Sequence, residues 1–455
     1  MSMPRPFSPG ASLDDASRGE GDVNVSHRRT AWQARHLDPQ TMRWLRCDEA
    51  AFLRQSLSTP CLNVLAGARG SHITDLAGRE FLDFHGNSVH QAGFAHPRIV
   101  QAIKDQLDVL SFCPRRYTCR PAVLLAEKLA SLAPEPLGKV LLAPGGTTAV
   151  GMALKLARLA TGRHKTVSMW DSFHGAGLDT VSVGGEALFR SGIGPLLPGT
   201  EHVPPADPEH CVFDDTGDCA RCGLKCARYL AYVLEKEGDV AAVVAEPVRA
   251  TAVNPPPEGY WKAVREACDR HGVLLILDET AVGMARTGRF FAFERYGIVP
   301  DMVTLGKGLG GGIIPLAALI ARRDLDVCSH VALGHYTHEK NPVGCAAGLA
   351  TIAVIEEERL TERAETMGAY ALGRLEAICA RWPFLSRPRG VGLALAVSAD
   401  CPDRAEAILY GCLSRGLSFK TSHGNILTLT PPLNIDKADL DRALDMLDAA
   451  AGEAA

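Results

Sequence analysis

The sequence predicts an α/β protein whose main sheet is mostly parallel and covered by helices on both faces. Several apolar runs, such as Val240–Ala245 and residues 273–277, are too short for helices and have no polar face. Such runs are typical of parallel strands that are buried on both faces. Helical patterns separate the runs, and glycine or polar residues follow them. Because open sheets of this kind bind ligands at the carboxyl ends of their strands, the residues after each run are candidate site residues.

Composition and charge limit the classes of function. The chain has 455 residues, of which 46% are hydrophobic and 22% charged, as expected for a globular enzyme with a large core. The net charge of −4 and the lack of a basic block argue against a nucleic-acid partner. The sequence has no long apolar run and no secretory signal, so we expect no membrane partner and a cytoplasmic location. The fourteen cysteines are scattered, which favours reduced thiols over a disulfide framework.

The N-terminal segment predicts an arm, a helix and a small sheet. Residues 1–29 are rich in Ser, Gly, Asp and Arg and have no period, so we expect a disordered arm. Residues 32–57 have a helical pattern. Short runs at residues 61–65, 72–75 and 81–84, joined by glycine-containing turns, then predict a small antiparallel sheet.

Two adjacent arginines, Arg115 and Arg116, precede Tyr117 in a loop that leads into a predicted helix. Guanidinium groups bind phosphonate, phosphate or carboxylate groups bidentately, so these three residues are candidate substrate-binding residues. Ordinary surface charge is the alternative, because most arginines are exposed.

The segment PGGTT at residues 144–148 lies between a predicted strand and a predicted helix. Free N–H groups and the positive end of the helix dipole attract anions at such a turn, so Gly146 and Thr147 are candidate phosphate ligands. Many α/β turns have this pattern, so the turn alone is weak support. Thr337, which precedes another helix, could donate its hydroxyl group to a phosphate.

Two further strand ends carry candidate residues. Phe173 and His174 follow a predicted strand at residues 166–170. An aromatic side chain at this place can lie flat on a planar cofactor ring, although a buried Phe usually packs in the core. Glu246 follows Val240–Ala245, where it could cap a helix or contact a cofactor or substrate.

A carboxylate and an amine follow two other strands. Asp278 ends the run at residues 273–277, and Lys307 follows Met302–Leu305 between two glycines. Pyridoxal phosphate (PLP) needs such a pair: a lysine forms a Schiff base with it, and an aspartate keeps its pyridine nitrogen protonated so that the ring accepts electrons. The alternative is a strand-end Asp that caps a helix and a Lys in a flexible loop. The phosphate turn and the aromatic residue favour the cofactor.

The order of these motifs resembles that of the class III aminotransferases, which have PLP fold type I. The resemblance spans the chain from about residue 50 and rests on the following segments: Gly146-Thr147, Phe173-His174-Gly175, Glu246-Pro247, Asp278-Glu279, Arg286-Thr287-Gly288, Gly306-Lys307-Gly308, Thr337, Asn341-Pro342 and Pro431-Pro432-Leu433.

This resemblance implies the roles of the site residues. Lys307 and Asp278 are the catalytic pair, with Lys307 on the cofactor and Asp278 at its ring nitrogen. Thr337 reaches the phosphate from the partner subunit, because the family forms homodimers, or larger assemblies, with sites at the subunit interface. The full implied cofactor-binding set is Gly146, Thr147, Phe173, His174, Glu246, Asp278, Lys307 and Thr337.

The resemblance also implies the domain organisation. A large domain over residues 86–345 would hold a mostly parallel seven-stranded sheet flanked by helices. A small α+β domain would combine the N-terminal residues 30–85 with the C-terminal residues 346–455.

Several positions depart from the usual family pattern. Ala281 stands where relatives usually carry a Gln, and Thr428 stands where many carry an Arg that would bind an amino-acid carboxylate. Thr148 replaces an acidic residue. With the local sequences at residues 85–91 and 113–117, these changes resemble a branch of the family that includes (R)-1-hydroxy-2-aminoethylphosphonate ammonia-lyases.

That branch implies an elimination reaction. Lys307 would remove a proton from the amine-bearing carbon, hydroxide would leave the neighbouring carbon, and phosphonoacetaldehyde and ammonia would result, with Arg115 or Arg116 holding the phosphonate. One alternative is an aminotransferase that moves an amine from a small amine or ω-amino acid to a keto acid. Another is a catalytically silent PLP-fold binding protein.

One cluster lies outside the resemblance. Cys211, Cys219, Cys222 and Cys226 fall in a polar insert at residues 205–228. A Cys-x-x-Cys pair with two flanking cysteines is similar to a small structural zinc site, but the spacings are tighter than usual. Free thiols or a disulfide are the alternatives, and we assign no metal ligand.

Overall fold

The computed structural model describes residues 24–56, 58–213 and 217–455. The strands, in chain order, are β1 (Leu65–Arg69), β2 (His72–Asp75), β3 (Glu80–Asp83), β4 (Leu137–Ala143), β5 (Lys165–Met169), β6 (Thr200–Val203), β7 (Val240–Ala245), β8 (Leu274–Asp278), β9 (Met302–Leu305), β10 (Ala317–Arg322), β11 (Leu385–Val391), β12 (Ala394–Ala399), β13 (Leu417–Ser418), β14 (Lys420–Ser422) and β15 (Ile426–Leu429).

The α-helices, in chain order, are α1 (His27–His36), α2 (Pro39–Ala51), α3 (Pro97–Val109), α4 (Arg120–Leu132), α5 (Gly146–Thr161), α6 (Leu178–Val183), α7 (Ala187–Arg190), α8 (Cys219–Cys222), α9 (Lys225–Glu237), α10 (Tyr260–His271), α11 (Pro342–Glu357), α12 (Leu360–Arg381), α13 (Pro402–Arg415) and α14 (Lys437–Glu453). None of the helices in the described ranges is long and apolar enough to cross a membrane.

The central sheet has the strand order β4-β10-β9-β8-β7-β5-β6. β10 is antiparallel to both of its neighbours, and the remaining neighbours pair in parallel. The predicted mostly parallel, seven-stranded sheet is therefore confirmed for the residues that the structure describes. Because β5, β7, β8 and β9 run in the same direction, the residues after each of them meet at one edge of the sheet.

Both faces of the central sheet are buried, as the continuous apolar runs predicted. Val244 and Ile276 pack in one cluster together with the buried face of α5. Val243 and Leu275, the alternate residues, pack in another cluster with Trp261 of α10. Successive side chains of a strand point to opposite faces, so a strand covered by helices on both sides needs apolar residues throughout.

Segments from both ends of the chain build the smaller sheets. β3 pairs in parallel with β13, so that Leu82 lies opposite Leu417 in a sheet of order β1-β2-β3-β13. β11, β12, β15 and β14 form a second small sheet whose pairs are antiparallel. This pairing supports the predicted combination of N- and C-terminal segments, while the residue boundaries of the domains remain predictions.

The structure corrects the prediction for the N-terminal segment. The single helix predicted over residues 32–57 is wrong: α1 ends at His36, and α2 begins at Pro39 after the extended residue Asp38. Proline disfavours helical backbone in the residue before it, which explains the break. The predicted strand at residues 61–65 is also misplaced, since β1 begins at Leu65.

The predicted N-terminal arm is only partly described. Residues 1–23 lie outside the described residues. Residues 24–29 belong to the folded part, because α1 begins at His27 and its N-cap Ser26 accepts a hydrogen bond from the N–H of Arg29 at 3.0 Å.

Candidate active site

Asp278 is buried at the carboxyl end of β8. Its Oδ2 lies 2.9 Å from Nδ1 of His174, which follows β5. Its Oδ1 accepts hydrogen bonds from the hydroxyl of Thr304 on β9 at 2.9 Å and from the N–H of Thr280 at 3.1 Å. Groups from separate strands therefore fix the carboxylate in one orientation.

The environment favours the charged forms of Asp278 and His174. Burial raises the pKa of Asp278, but the hydrogen bond and the charge of His174 outweigh burial and hold this pKa below its ordinary value. Burial lowers the pKa of His174, and the hydrogen bond and charge of Asp278 outweigh that effect, so this pKa is raised. A buried carboxylate held in its charged form can keep a proton on a heterocyclic nitrogen next to it.

Lys307 begins a 3₁₀ turn, Lys307–Gly310, that follows β9 after one residue. Its φ of +45° is unusual for a residue other than glycine, and such strain is typical of functional sites. Burial lowers the pKa of the Lys307 amine, although the charges of Asp278 and Glu246 act in the opposite direction. A lowered pKa increases the share of neutral amine, which is the nucleophilic and basic form.

Two glycines bring the N-terminus of α5 next to Lys307. A Cβ on Gly146, the first residue of α5, would lie 2.8 Å from Cγ2 of Thr280. A Cβ on Gly306, the residue before Lys307, would lie 2.9 Å from the same atom and 3.6 Å from Cα of Gly146. Three segments therefore touch each other: the start of α5, the turn after β8 and the start of the Lys307 turn.

A second contact connects α5 with the partner of Asp278. A Cβ on Gly175 would lie 2.3 Å from Oγ1 of Thr147, and Gly175 has a φ of +127°. The backbone after His174 thus approaches Thr147 so closely that only glycine fits. The catalytic candidates Asp278 and Lys307 are joined to the predicted phosphate turn through this set of contacts.

These residues fit pyridoxal phosphate. The N-terminus of α5, a helix of 16 residues, offers the positive end of a helix dipole for the phosphate. No atom of the described chain lies within 4 Å of the Cβ position at Gly145, so this N-terminus opens into free space. Asp278 would supply the carboxylate for the ring nitrogen, and Lys307 would supply the amine for the carbonyl carbon. We therefore expect Gly146 and Thr147 to hold the phosphate.

Glu246 positions the loop that carries Phe173. Its Oε1 accepts a hydrogen bond from the N–H of Phe173 at 3.2 Å, and its Oε2 accepts one from the N–H of Ala250 at 2.9 Å. The ring of Phe173 packs against Phe189 with the ring centroids 4.2 Å apart. Glu246 thus connects two loops at the sheet edge, and the stacking of Phe173 on the cofactor ring remains a prediction.

The predicted substrate-binding residues lie apart from Lys307 within one chain. Nε of Arg115 is 3.1 Å from Oε1 of Glu339, in the exposed loop that contains Thr337. Arg116 and the side chain of Tyr117 are exposed. Arg115 and Glu339 line a largely apolar cavity to which neither Asp278 nor Lys307 contributes. Arg115 thus contacts the exposed loop that carries Thr337, whereas Asp278 and Lys307 lie outside the lining of the cavity beside it.

The cysteines of the insert do not form a metal site among the described residues. Cys222 and Cys226 are buried and Cys211 and Cys219 are half-buried, and none of the four forms a disulfide. Within the described ranges, three metal-ligating side chains meet only at Asp207, Glu209 and His210. The carboxylate of Asp207 already accepts hydrogen bonds from Arg249 at 3.0 Å and Asn254 at 2.7 Å, so this group is part of a hydrogen-bond network.

Thr304 and Thr280 were not among the predicted site residues. Thr304 lies directly opposite Asp278 in the parallel pairing of β8 and β9. In the sequence, Thr304 is the one hydroxyl residue of the apolar run before Lys307. Its hydrogen bond to Asp278 could not be predicted, because that contact depends on the register of the two strands. Thr148, a departure from the family pattern, donates its hydroxyl to the carbonyl of Gly145 at 2.6 Å and so stabilises the turn before α5.

Comparisons with known proteins agree with this geometry. The sequence model of the family "Aminotransferase class-III" matches residues 55–451. The (R)-1-hydroxy-2-aminoethylphosphonate ammonia-lyase of Vibrio splendidus (strain 12B01) is 45% identical over 453 residues, which cover 95% of each chain. The acetylornithine aminotransferase of Methanopyrus kandleri is 36% identical over 84% of this chain and 92% of its own.

The solved structures include a PLP-bound amine transaminase from an uncultivated Pseudomonas species. It matches with a TM-score of 0.84 at 30% identity and covers 89% of this chain and 99% of its own. Fold and site together define an enzyme that uses pyridoxal 5'-phosphate. The chain belongs to the class III aminotransferase family.

Proposed function

We propose that the protein is an ammonia-lyase that converts (R)-1-hydroxy-2-aminoethylphosphonate to phosphonoacetaldehyde and ammonia. The observation that carries this proposal is the 45% identity, over 95% of both chains, to an enzyme of that name. The acetylornithine aminotransferase of Methanopyrus kandleri is less similar, at 36%. Thr428 supports the proposal, because it occupies the place of the Arg that binds a carboxylate in many relatives.

The residues of the site can perform this elimination. Bound PLP supplies a protonated pyridine ring that accepts electrons from the substrate carbon next to the amine. Asp278, held in its charged form by His174, keeps the proton on the ring nitrogen. Lys307, whose pKa is lowered by burial, removes the proton from the amine-bearing carbon. Hydroxide leaves the neighbouring carbon, and hydrolysis of the released enamine gives the aldehyde and ammonia.

Incubation of the purified enzyme with the hydroxyphosphonate, without any keto acid, tests the proposal. We expect many turnovers that release ammonia and phosphonoacetaldehyde in equal amounts, and no product from Lys307→Ala. A strict requirement for a keto acid would show instead an aminotransferase, the activity named for most solved relatives. PLP binding without turnover of any amine would indicate a silent binding protein.

We also propose that the protein acts as a homodimer or a larger assembly of the same chain. The apolar cavity beside Arg115 and Glu339 is lined by Leu141, Val331 and Leu333. Leu141 is 37% exposed and Val331 is 40% exposed, and burial of such side chains favours association. The family resemblance implies that in such an assembly Thr337 of one copy serves the site of the other, and Arg115 lies beside the loop that carries Thr337.

For the cellular location we keep the prediction of the cytoplasm. It is supported by the fourteen cysteines, all of which lie in the described residues and none of which forms a disulfide. Thiols of this number are typical of a reducing compartment.

A further inference from the structure

Lys420 is the first residue of β14 and lies directly opposite Thr428 of β15. The hydroxyl of Thr428 donates a hydrogen bond to the carbonyl of Lys420 at 2.9 Å. Side chains of directly opposed residues lie on the same face of a sheet. The Lys420 side chain therefore lies on the same face of this sheet as the side chain of Thr428.

This face of the small sheet points to the large domain. Thr428 lies opposite Ala396 in the next strand, and Ala396 packs in a buried cluster with Ala252 and Val253, which follow β7. The row of paired residues Lys420, Thr428 and Ala396 thus lies on the face that packs against the segment after β7. Lys420 is the positively charged residue among these three.

Lys420 lines a cavity together with His85 and Asn87. Gly86, Asn87 and Ser88 form a short turn in which each residue has a positive φ, of 44°, 46° and 57°. For Asn87 and Ser88 this conformation is strained, and strained backbone clusters at functional sites. The turn that carries Asn87 also contacts the turn Lys307–Gly310, so the cavity wall at Asn87 and the turn of the catalytic amine are neighbouring segments.

The pKa shifts of His85 and Lys307 agree with a position of Lys420 near both residues. Burial lowers the pKa of His85 to about 4, and the positive charge of Lys420 contributes to the shift. The pKa of Lys307 is lowered by burial first and, to a smaller extent, by the charge of Lys420. Lys420 therefore acts electrostatically on Lys307, and His85 is neutral at neutral pH and can donate a hydrogen bond from one ring nitrogen.

We propose that Lys420 binds the phosphonate group of the substrate, with Asn87 and His85 as further hydrogen-bond donors. The inference rests on the proposed ammonia-lyase function and adds a binding site for the anionic end of its substrate within a single chain. A phosphonate carries up to two negative charges and three acceptor oxygens, so a lysine ammonium beside neutral donors suits it.

The test measures binding of 2-aminoethylphosphonate, which lacks the leaving hydroxyl group and cannot be eliminated. Wild-type holoenzyme, Lys420→Gln, Lys420→Arg and the control Lys236→Gln, an exposed lysine on α9, are titrated calorimetrically. Turnover of the hydroxyphosphonate is measured in parallel. We expect the dissociation constant and KM of Lys420→Gln to rise about 10- to 100-fold, as for a lost hydrogen bond to a charged group. Lys420→Arg should bind more tightly than Lys420→Gln, and Lys236→Gln should match the wild type.

The outcomes separate the two proposals. If the wild type releases ammonia but Lys420→Gln binds 2-aminoethylphosphonate as tightly as the wild type does, the Lys420 site is wrong and the lyase function stands. If the wild type neither binds this ligand nor releases ammonia, the lyase function is wrong and the phosphonate site falls with it. The visible absorption of PLP and the melting temperature verify folding, and Lys420→Met serves as a second neutral variant if Lys420→Gln fails to fold.

Discussion

Nδ1 of His174 lies 2.9 Å from Oδ2 of Asp278, and both side chains are buried. His174 follows β5 and Asp278 ends β8, with β7 between these two strands in the sheet. The pair therefore spans the edge where the candidate site lies. Each partner shifts the pKa of the other toward its charged form, so the buried carboxylate of Asp278 is held in its negatively charged form.

Asp278→Asn should abolish most of the activity while the fold is kept. The amide has the shape of the carboxylate but cannot hold a proton on the pyridine nitrogen, so the ring accepts electrons poorly. We expect kcat to fall about 100- to 1,000-fold, as for other lost electrostatic contacts in active sites. Ammonia release measures this change. Asp445→Asn, at an exposed position of α14, is the control and should keep full activity; a similar loss in both variants would contradict the assigned role.

His174→Asn should lower stability in a pH-dependent way. The raised pKa of His174 stabilises the folded state fully below pH 6.5, and this contribution is lost as the pH rises through the raised value. The lowered pKa of Asp278 contributes above pH 3.8 and is lost as the pH falls through the lowered value. The difference in the free energy of unfolding between wild type and variant should therefore be largest between these limits, at about 3 kcal/mol, and shrink at alkaline pH.

Urea unfolding at several pH values measures that difference. His164→Asn is the control, because the side chain of His164 is 71% exposed and such surface pairs contribute little. A difference for His174→Asn that is independent of pH would show that the ion pair does not stabilise the fold.

Gly175→Ala should weaken PLP binding. The added Cβ would lie 2.3 Å from Oγ1 of Thr147, and the φ of +127° is unfavourable for alanine. The loop or the start of α5 must therefore shift, at a cost of about 1–3 kcal/mol. Dialysis against buffer without cofactor, followed by the visible absorption of the remaining PLP, measures the effect. Gly373→Ala in α12 meets no atom within 4 Å and should retain PLP as the wild type does.

Mixed dimers should show whether Thr337 serves the partner subunit. Lys307→Ala chains are expected to be inactive alone and Thr337→Ala chains weakly active, whereas a mixture contains dimers with one site that has both residues intact. Activity after mixing, refolding or coexpression should therefore exceed the sum of the separate activities. Mass spectrometry shows whether mixed dimers have formed. If the mixed dimers gain no activity, Thr337 lies in the site of its own chain or outside any site.

Much of the fold could be predicted because local patterns determine it. The apolar runs at β7 and β8 have no polar face, and only a sheet covered by helices on both sides accommodates them. The turn at residues 144–148 could be placed at a helix start because glycine and threonine suit that position. The break between α1 and α2 was missed, although Pro39 marked it, because the apolar spacing continued across the proline.

The sequence by itself therefore determined the α/β class, the strand ends, and the residue types that follow them, Asp278 and Lys307 included. Only the tertiary structure decided which of these residues meet. The pairing of His174 with Asp278 depends on the order of the strands, and that of Thr304 with Asp278 depends on their register. The contact of Arg115 with Glu339 and the pairing of Lys420 with Thr428 depend likewise on how separate segments pack. The local spacing of apolar residues predicts which face of a helix or strand is buried. Contacts between segments that are distant in the sequence depend on the packing of the whole chain.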